Sequence, residues 1–361
     1  MPVSESDVQF ALSRLVDPNT GKDFAASRAL KSVKVEGGRV VVGIELGYPG
    51  KSQFEPIRRQ VLEALKAAGA AGASVNVRSK VVSHAVQRGV KLVPGIKNII
   101  AVASGKGGVG KSTTAVNLAL ALSVEGASVG ILDADIYGPS QPMMLGISGR
   151  PTSKDNKSME PMEGHGLQAI SIGFLIDMDT PMVWRGPMVT QALEQLLKDT
   201  RWRELDYLVV DLPPGTGDIQ LTLAQKVPVT GAVIVTTPQD IALIDARKGL
   251  KMFEKVGIPI LGIVENMSIH ICPQCGHESH IFGTGGAARM CQDYGTELLG
   301  QLPLDGAIRE QTDSGRPTLV SDPDGRVSQI YKQIARRCAV RIAESQKDMT
   351  SKFPNIVVQN T

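Results

Sequence analysis

The sequence predicts a doubly wound α/β fold with a mostly parallel sheet, preceded by a small α+β domain. From residue 98 onward, short apolar runs alternate with segments of helical spacing. Buried parallel strands have this appearance because helices cover both faces of the sheet, so no polar alternation is needed. Residues 1–85 instead show short helices and strands in quick succession. The apolar runs are residues 99–103, 127–132, 207–210, 232–236 and 258–264, with 299–302 as a weaker candidate.

Length and composition fit this two-part organisation. A chain of 361 residues is long enough for two or three domains. Hydrophobic residues at 42% and charged residues at 21% are typical of a soluble globular protein. Aromatic residues make up only 4% of the chain, which disfavours a surface that stacks on nucleic-acid bases. We therefore predict no nucleic-acid partner.

The chain carries no pattern typical of export or membrane insertion. It contains no run of about 18 apolar residues, and its polar start, MPVSESD, is unlike a signal peptide. Four cysteines are too few for a disulfide scaffold. We expect a cytoplasmic protein without a membrane partner, in which a close cysteine pair forms a metal or redox site.

The first 85 residues predict a small α+β adaptor domain. Ser4 and Asp7 match a capping box, which begins a helix expected to end at Asp17-Pro18. The domain contains no cysteine, and His84 is its one candidate metal ligand. The remaining predicted elements are a hairpin that turns at residues 36–38, a helix over residues 57–65 and a strand over residues 75–77.

The adaptor domain is separated from the larger domain by a predicted linker at residues 86–97, which contains Gly89, Pro94 and Gly95. The larger domain spans residues 98–345, and residues 346–361 form a tail. Residues 1–97 carry 15 Lys and Arg against 8 Asp and Glu, a balance of +7, so the rest contributes −4 to the overall +3. The basic part either attracts an acidic partner or is a solvated face.

A phosphate-binding loop follows the first apolar run of the larger domain. Residues 105–112, GKGGVGKS, match the pattern G-x-x-x-x-G-K-[ST] between a strand and a helix, so the predicted sheet is of the P-loop NTPase type. Backbone N–H groups would surround the phosphates of ATP at the helix N-terminus. Lys111, expected to face solvent, would reach the β- and γ-phosphates, and Ser112 would bind Mg²⁺. The predicted nucleotide-binding residues are Gly105, Lys106, Gly107, Gly108, Val109, Gly110, Lys111, Ser112, Thr113, Asp211 and Asn266.

Lys106 is an additional lysine inside the loop, where the pattern requires none. Its position resembles the deviant Walker A signature of the MinD/Mrp class, in which such a lysine contacts the nucleotide of the opposing subunit. This resemblance implies dimerisation, and the lysine would then supply charge at the transferred phosphoryl group. A solvated surface lysine is the alternative interpretation.

Carboxylates follow two other predicted strands. Asp211 comes after the run 207–210 and is placed like a Walker B acid that holds Mg²⁺. Asp135 is the first candidate for orienting the attacking water and Asp133 the second, although either side chain could instead cap the following turn. Asn266 follows the run 258–264. Its amide either binds adenine, as the equivalent residue does in the MinD/Mrp class, or caps a helix.

Cys272 and Cys275 form a C-x-x-C pair in a polar loop. Two such thiolates can share one soft metal centre, but a tetrahedral zinc or a [4Fe–4S] cluster needs four ligands. The missing two come from one of three sources, which the sequence leaves open. These are His277 and His280, Cys291 and Cys338, or the same C-x-x-C pair of a second subunit. Cys338 falls in an apolar helical stripe and is expected in the core, and Cys291 is expected in a helix.

Taken in order, these motifs resemble the Mrp/ApbC family of iron–sulfur cluster carriers over about residues 98–340. The resemblance implies a homodimer in which two C-x-x-C pairs bridge one labile [4Fe–4S] cluster, with ATP hydrolysis coupled to its loading or transfer. A cluster donor and apo iron–sulfur acceptors are the implied partners. Residues 1–85 resemble a small domain often fused to bacterial members, but they lack the cysteine that many relatives carry. The matching segments are residues 105–113, 133–140, 211–218, 265–267 and 272–275.

Three other functions share some of these features. A MinD/ParA-type positioning ATPase has the same loop and lysine, but it needs a basic DNA surface or a terminal amphipathic helix. The ATPase domain here has a balance of −4, and its tail contains the helix breaker Pro354. A nitrogenase-reductase-like carrier uses isolated cysteines rather than an adjacent pair. A zinc-stabilised nucleotide-binding scaffold would use His277 and His280.

Overall fold

The computed structural model of the protein describes residues 4–36, 39–70, 72–87, 90–176 and 186–345. Three sequence predictions fall on residues outside these ranges. They are the turn at residues 37–38, Gly89 of the predicted linker and the tail at residues 346–361.

The N-terminal domain is a three-stranded sheet with two helices. The strand order is β1-β2-β3, with β1 antiparallel and β3 parallel to β2. The capping box is present, because Ser4 Oγ accepts from the Asp7 N–H while Asp7 accepts from the Ser4 N–H. The elements are α1 (Glu5–Ser13), β1 (Leu30–Glu36), β2 (Arg39–Leu46), α2 (Phe54–Ala67) and β3 (Gly72–Ser79).

The first helix is shorter than the sequence predicts, since α1 ends at Ser13 rather than at Asp17-Pro18. Asp17 is buried in the turn that follows, where its carboxylate accepts hydrogen bonds from the Tyr48 hydroxyl at 2.7 and 2.9 Å and from the Asn19 N–H at 2.9 Å. A buried carboxylate needs such donors. These contacts fix a turn where the sequence pattern alone favours helix.

The larger domain is built on a nine-stranded, mostly parallel sheet. The strand order is β12-β10-β9-β4-β8-β5-β7-β6, with β11 paired antiparallel to the end of β10. All six apolar runs are strands, and β4 begins inside the predicted linker. The strands are β4 (Ile96–Ala103), β5 (Val129–Asp133), β6 (Met162–Gly164), β7 (Leu167–Ser171), β8 (Leu205–Asp211), β9 (Gly231–Thr236), β10 (Ile260–Ile271), β11 (Glu278–Ser279) and β12 (Leu298–Pro303).

Two layers of helices enclose the sheet, which confirms the doubly wound α/β fold. Helix α3 packs against α11, and α5 to α8 pack in sequence against one another. Among the helices of the described ranges, none combines the length and the hydropathy needed to cross a membrane. The helices are α3 (Lys111–Val124), α4 (Gln141–Met144), α5 (Gly186–Lys198), α6 (Asp218–Lys226), α7 (Asp240–Lys255), α8 (Gly286–Tyr294), α9 (Gly306–Asp313), α10 (Thr318–Ser321) and α11 (Arg326–Glu344).

The two lateral strands of the sheet, β6 and β12, are poor surfaces for further strand pairing. Strand β6 has only three residues and runs antiparallel to β7. On β12, the Arg337 guanidinium of α11 donates to the carbonyl oxygens of Leu298 at 2.9 Å and Leu299 at 3.1 Å. Strand β12 ends at Pro303, which has no N–H to donate.

The N-terminal domain contacts the larger domain through a buried ionic cluster at the end of α3. The Glu125 carboxylate is fully buried and accepts from the Ser52 N–H at 3.0 Å and the Ser52 hydroxyl at 2.7 Å. Arg336 of α11 donates to the same carboxylate and, at 3.2 Å, to Asn19 Oδ1. His84, the one candidate ligand of the adaptor domain, is buried with Nδ1 3.1 Å from Asn98 Oδ1 of β4.

The Arg336→Ala variant is expected to lower the free energy of unfolding by about 3 kcal/mol, because the buried Glu125 carboxylate would lose its cation. Denaturant titration followed by circular dichroism measures the change. Arg341→Ala, an exposed arginine of the same helix, is the matched control and should change stability by no more than about 0.5 kcal/mol. Equal midpoints for the two variants would contradict a stabilising role for the cluster.

Candidate functional site

The phosphate-binding loop connects the central strand β4 to α3, as the motif requires. Gly108 and Gly110 have φ values of +79° and +83°, a region that side chains disfavour. A Cβ on Gly105 would lie 2.2 Å from the Asp245 carbonyl carbon of α7, and one on Gly110 would lie 2.2 Å from Asn266 Nδ2. Within the described chain, no side chain caps the N-terminus of α3, so its first N–H groups point towards the loop and suit an anion.

Lys111 is buried, which corrects the expectation that it faces solvent. Its side chain is 6% exposed. The ammonium group donates to Asp211 Oδ1 and, at 3.1 Å, to Ser112 Oγ, and it lies 3.8 Å from Asp135 Oδ2. Lys111 is therefore the cation of a buried carboxylate cluster, which holds its charge at the loop where phosphates would bind.

Asp133 and Asp211 end neighbouring strands of the sheet, and both are fully buried. Asp133 accepts hydrogen bonds at 3.1 Å from three donors, the N–H groups of Asp135 and Gln141 and the Ser171 hydroxyl. Burial raises the pKa of Asp133, the charge of Asp211 raises it further, and the backbone donors oppose the rise. The contacts to Asp135 and Gln141 show that Asp133 does cap the following turn.

Asp135 is the more accessible of the two candidates for orienting water, with 13% of its side chain exposed. Burial raises the pKa of Asp135, while the Lys111 charge and the N–H groups of Gly138 and Tyr137 lower it. A carboxylate that is more basic than usual and still accessible is suited to accept a proton or a hydrogen bond from water. Asp135 therefore remains the first candidate.

Gln141 also belongs to this cluster, and the sequence pattern did not identify it. Its amide N–H₂ group donates to Asp211 Oδ2 at 2.9 Å and to the Ser112 carbonyl oxygen at 3.1 Å. The residue is buried at the start of α4, directly after the DADIYGPS segment. The only feature of the sequence that could have identified Gln141 is its position, as a polar residue directly after the acidic DADIYGPS segment. No known motif includes that position.

Lys106 lies inside the phosphate-binding loop, and Asn266 contacts that loop from β10. The Lys106 ammonium group makes no ion pair with another residue of the described chain, and its side chain is half-buried. Asn266 Nδ2 donates to the Val109 carbonyl oxygen at 2.9 Å. Because Asn266 lies inside β10, it caps no helix, which removes that alternative. Its amide contacts the loop directly.

The C-x-x-C pair lies in a tight hairpin between β10 and β11. The Cys272 N–H donates to the His277 carbonyl oxygen at 3.0 Å, and the Gly276 N–H donates to the Cys272 carbonyl oxygen at 2.9 Å. Gly276 has a φ of +70°. The N–H groups of Cys275 and Gln274 and the Cys275 thiol all donate to the Cys272 sulfur and lower its pKa.

The hairpin therefore offers two thiols on one side of a turn, with the Cys272 thiolate stabilised. Cys275 is exposed and Cys272 is half-buried. Donors that stabilise a thiolate also favour its binding to a metal. Two sulfur ligands at the surface can bind part of a metal centre and leave the rest to ligands from elsewhere.

The other predicted ligand sources lie in different environments. Cys338 is buried in α11, as predicted, and Cys291 is buried in α8. Burial raises the pKa of Cys291 to about 11. His280 Nδ1 is 3.0 Å from the Ser268 carbonyl oxygen, and His277 is exposed. The described residues contain no group of three or more His, Cys, Asp or Glu side chains that could hold a metal ion.

Comparison with known proteins gives matches to both parts of the chain. A family model described as a NUBPL iron-transfer P-loop NTPase matches residues 95–339, and one described as an iron-sulfur cluster assembly protein matches residues 5–78. An iron-sulfur cluster carrier protein of Escherichia coli is 52% identical over 333 residues, covering 92% of this chain and 90% of the relative.

Two solved structures are similar to the larger domain. A nucleotide-binding protein of Archaeoglobus fulgidus in complex with ADP has a TM-score of 0.57 and 38% identity, covering 64% of this chain and 90% of that one. The cell division ATPase MinD of Pyrococcus furiosus has a TM-score of 0.51 and 22% identity, covering 66% of this chain and 97% of that one. At that identity the second likeness shows the fold alone.

Proposed function

The chain belongs to the NUBPL iron-transfer P-loop NTPase family, and from this premise we propose that it is an ATP-hydrolysing carrier that binds an iron–sulfur cluster and delivers it to apo-proteins. One observation carries the proposal. A complete phosphate-binding loop and a surface hairpin with two thiols belong to one domain, and β10 contacts the first through Asn266 and ends directly before Cys272. The E. coli relative, matched over most of both chains, is named a carrier protein.

Each residue of the phosphate cluster has a role in hydrolysis that its contacts support. A water oxygen forms a bond to the γ-phosphorus while the bond to the β–γ bridging oxygen breaks, which releases ADP and phosphate. Asp135 orients the attacking water and Asp133 fixes the Asp135 turn through its hydrogen bond to the Asp135 N–H. Lys111 and the N–H groups of the loop stabilise the charge on the transferred phosphoryl group.

The donors at the end of α3 also fit a Mg²⁺ ion, which prefers oxygen ligands and retains several of its waters. Ser112 would provide its hydroxyl, and Asp211, fully buried beside it, would hold the ion through a carboxylate oxygen or a bound water. When bound, the ion neutralises charge on the β- and γ-phosphates. Phosphate oxygens would at the same time attract Lys111 away from Asp211.

The cluster is the cargo of the protein, and the chain provides Cys272 and Cys275 to hold it. A [4Fe–4S] cluster needs four ligands, and we propose that the second pair comes from the same hairpin of a second copy. The burial of Cys291 and Cys338 favours this source over further cysteine ligands from the same chain. A labile site at a surface is also accessible to a cluster donor and to acceptor proteins.

Lys106 supports the same two-fold arrangement. Its ammonium group lies in the loop without an ion-pair partner among the described residues, and it would contact the nucleotide of the opposing subunit. A symmetric pair of chains joined beside the loop and the hairpin completes both sites at once. Nucleotide binding and cluster binding are then both linked to dimerisation.

Strand β10 provides a path for coupling the two sites. Asn266 contacts the loop, and Cys272 lies six positions further along the chain, a span of about 20 Å in an extended strand. Between them, Met267 has a left-handed φ of +56°, and the pairing of β10 with β12 is irregular between Glu265 and Ile269. A nucleotide that displaces Asn266 from Val109 would therefore act on the strand that holds the hairpin.

The carrier function is tested by reconstituting the protein anaerobically with iron and sulfide. We expect visible charge-transfer absorption and, by light scattering after chromatography, the mass of two chains for the loaded protein against one for the apo-protein at the same concentration. A zinc protein would show no such absorption. A loaded species that stays monomeric, with its other two ligands from the same chain, would refute the bridging arrangement.

The Lys106→Ala variant separates nucleotide-linked from cluster-linked dimerisation. It should lose the part of the dimer that ATP promotes and still dimerise on cluster loading, because the cysteine hairpin is unchanged. Its affinity for ADP should stay close to that of the wild type. Cys275→Ala is the complementary control, because it should lose the dimer that forms on cluster loading and keep the part that ATP promotes.

A further inference from the structure

The unexplained residue of the nucleotide site is Gln141, at the start of α4. We propose that Gln141 is a positioning residue for the metal ion of this site: its amide N–H₂ group fixes the Asp211 carboxylate, and its amide oxygen accepts a hydrogen bond from a water molecule bound to Mg²⁺. The inference rests on the proposed nucleotide site but does not depend on the cluster.

Every polar atom of Gln141 except one has a hydrogen-bond partner among the described residues. The two N–H groups of its amide are used by Asp211 Oδ2 at 2.9 Å and the Ser112 carbonyl oxygen at 3.1 Å. The Gln141 backbone N–H donates to Asp133 Oδ2 at 3.1 Å. Its side-chain oxygen, however, accepts no hydrogen bond from the described residues, although the residue is only 1% exposed.

A buried amide oxygen without a donor is rare, because its hydration is lost and nothing replaces it. The amide cannot be turned to remove the problem. Both groups that its nitrogen contacts are acceptors, so exchanging nitrogen and oxygen would place three acceptors against one another. The oxygen is therefore available to a donor that the working site supplies, and because the nitrogen of the same amide contacts Ser112 and Asp211, we assign that donor to metal-bound water.

The contact with Asp211 has a second effect, on the orientation of the carboxylate. Lys111 donates to Asp211 Oδ1, whereas Gln141 donates to Asp211 Oδ2. Two donors on different oxygens fix the plane of the carboxylate. Without Gln141, one oxygen would lose its partner and the carboxylate could rotate about its Cβ–Cγ bond. Residues that orient metal-binding groups in this way contribute to metal affinity.

The test is the Gln141→Met variant, which keeps the side-chain volume and the backbone N–H to Asp133 but removes the amide. Binding of Mn²⁺ in the presence of ADP, followed by electron paramagnetic resonance, should weaken by about tenfold to a hundredfold, as is usual when a group supporting a metal ligand is lost. The affinity for ADP in the presence of a chelator should remain within about twofold, since Gln141 contacts no loop N–H. A residue that only fills space would leave the ratio of these two affinities unchanged.

Gln220→Met is the matched control, because Gln220 is also buried and its amide oxygen also accepts no bond from the described residues, but its nitrogen donates to the Pro213 carbonyl oxygen. Gln141→Leu is the second variant if the methionine variant does not fold. A folded Gln141 variant that binds Mn²⁺ as tightly as the wild type overturns the role assigned to Gln141 and leaves the proposed nucleotide site standing. Wild-type protein that binds ADP without retaining Mn²⁺ overturns the metal site as well.

Discussion

Replacing Lys111 by alanine is expected to reduce ATP hydrolysis by about a hundredfold or more, because one charged donor to a transferred phosphoryl group contributes an effect of that size. The measurement is phosphate release under saturating ATP. A loss below about tenfold, equivalent to 1.4 kcal/mol, would be too small for the assigned role. Wild-type turnover would exclude it.

Because Lys111 is buried, replacing it by alanine is expected to affect stability as well as hydrolysis. Its ammonium group is the cation beside Asp211, Asp135 and, through their shared cluster, Asp133. Alanine leaves buried carboxylates without a neutralising charge, so the variant should also be less stable. Lys111→Gln retains a donor of similar length and is the better test of charge alone. Lys255→Ala, on the exposed end of α7, is the control for loss of a surface lysine.

Replacing Cys272 or Cys275 by alanine is expected to remove nearly all bound iron, because alanine cannot replace a thiolate ligand. Iron and sulfide are measured chemically after anaerobic reconstitution, alongside the visible absorption. Cys291→Ala is the matched control for loss of a thiol, since Cys291 is buried in α8 with a raised pKa. ATP hydrolysis should largely persist in all three variants, because none of these residues contacts the phosphate-binding loop.

The pattern of losses decides the source of the ligands. If His277→Ala or Cys291→Ala removes the metal while Cys272→Ala retains it, the ligands come from one chain and the two-subunit arrangement is wrong. If each hairpin variant forms loaded heterodimers with wild-type chains at reduced yield, the bridging arrangement is supported. Purification with two different affinity tags isolates those mixed dimers.

The sheet of the larger domain could be predicted because its central strands are buried on both faces. Runs such as 231–236 and 205–211 are apolar almost throughout, which identifies parallel strands without any alternation. Strands β6 and β7 were missed for the opposite reason. They form an antiparallel pair of three and five residues at the end of the sheet, and runs this short give no periodic signal.

Some site residues could be identified from the sequence, whereas the roles of others became clear only in the structure. Glycine positions and the Lys111-Ser112 pair are fixed by local spacing, so the motif found them. The position of Lys111 depends on Asp211, which is 100 residues away in the chain. The role of Gln141 depends on Asp211, 70 residues away, as well as on Asp133, 8 residues away. Only the packing of β5 beside β8 brings these groups together, and no pattern within one segment contains that information.

The lateral strands of the sheet restrict how two copies of this chain can associate. Strand β6 is too short to template a further strand, and on β12 Arg337 binds two carbonyl oxygens while Pro303 has no N–H to donate. Extension of the nine-stranded sheet across subunits, and the open-ended polymers to which it leads, is therefore disfavoured. The two-fold contact proposed beside the phosphate-binding loop and the cysteine hairpin would instead use side chains and loops. It would close on itself after two copies and could be released without disrupting the sheet of either one.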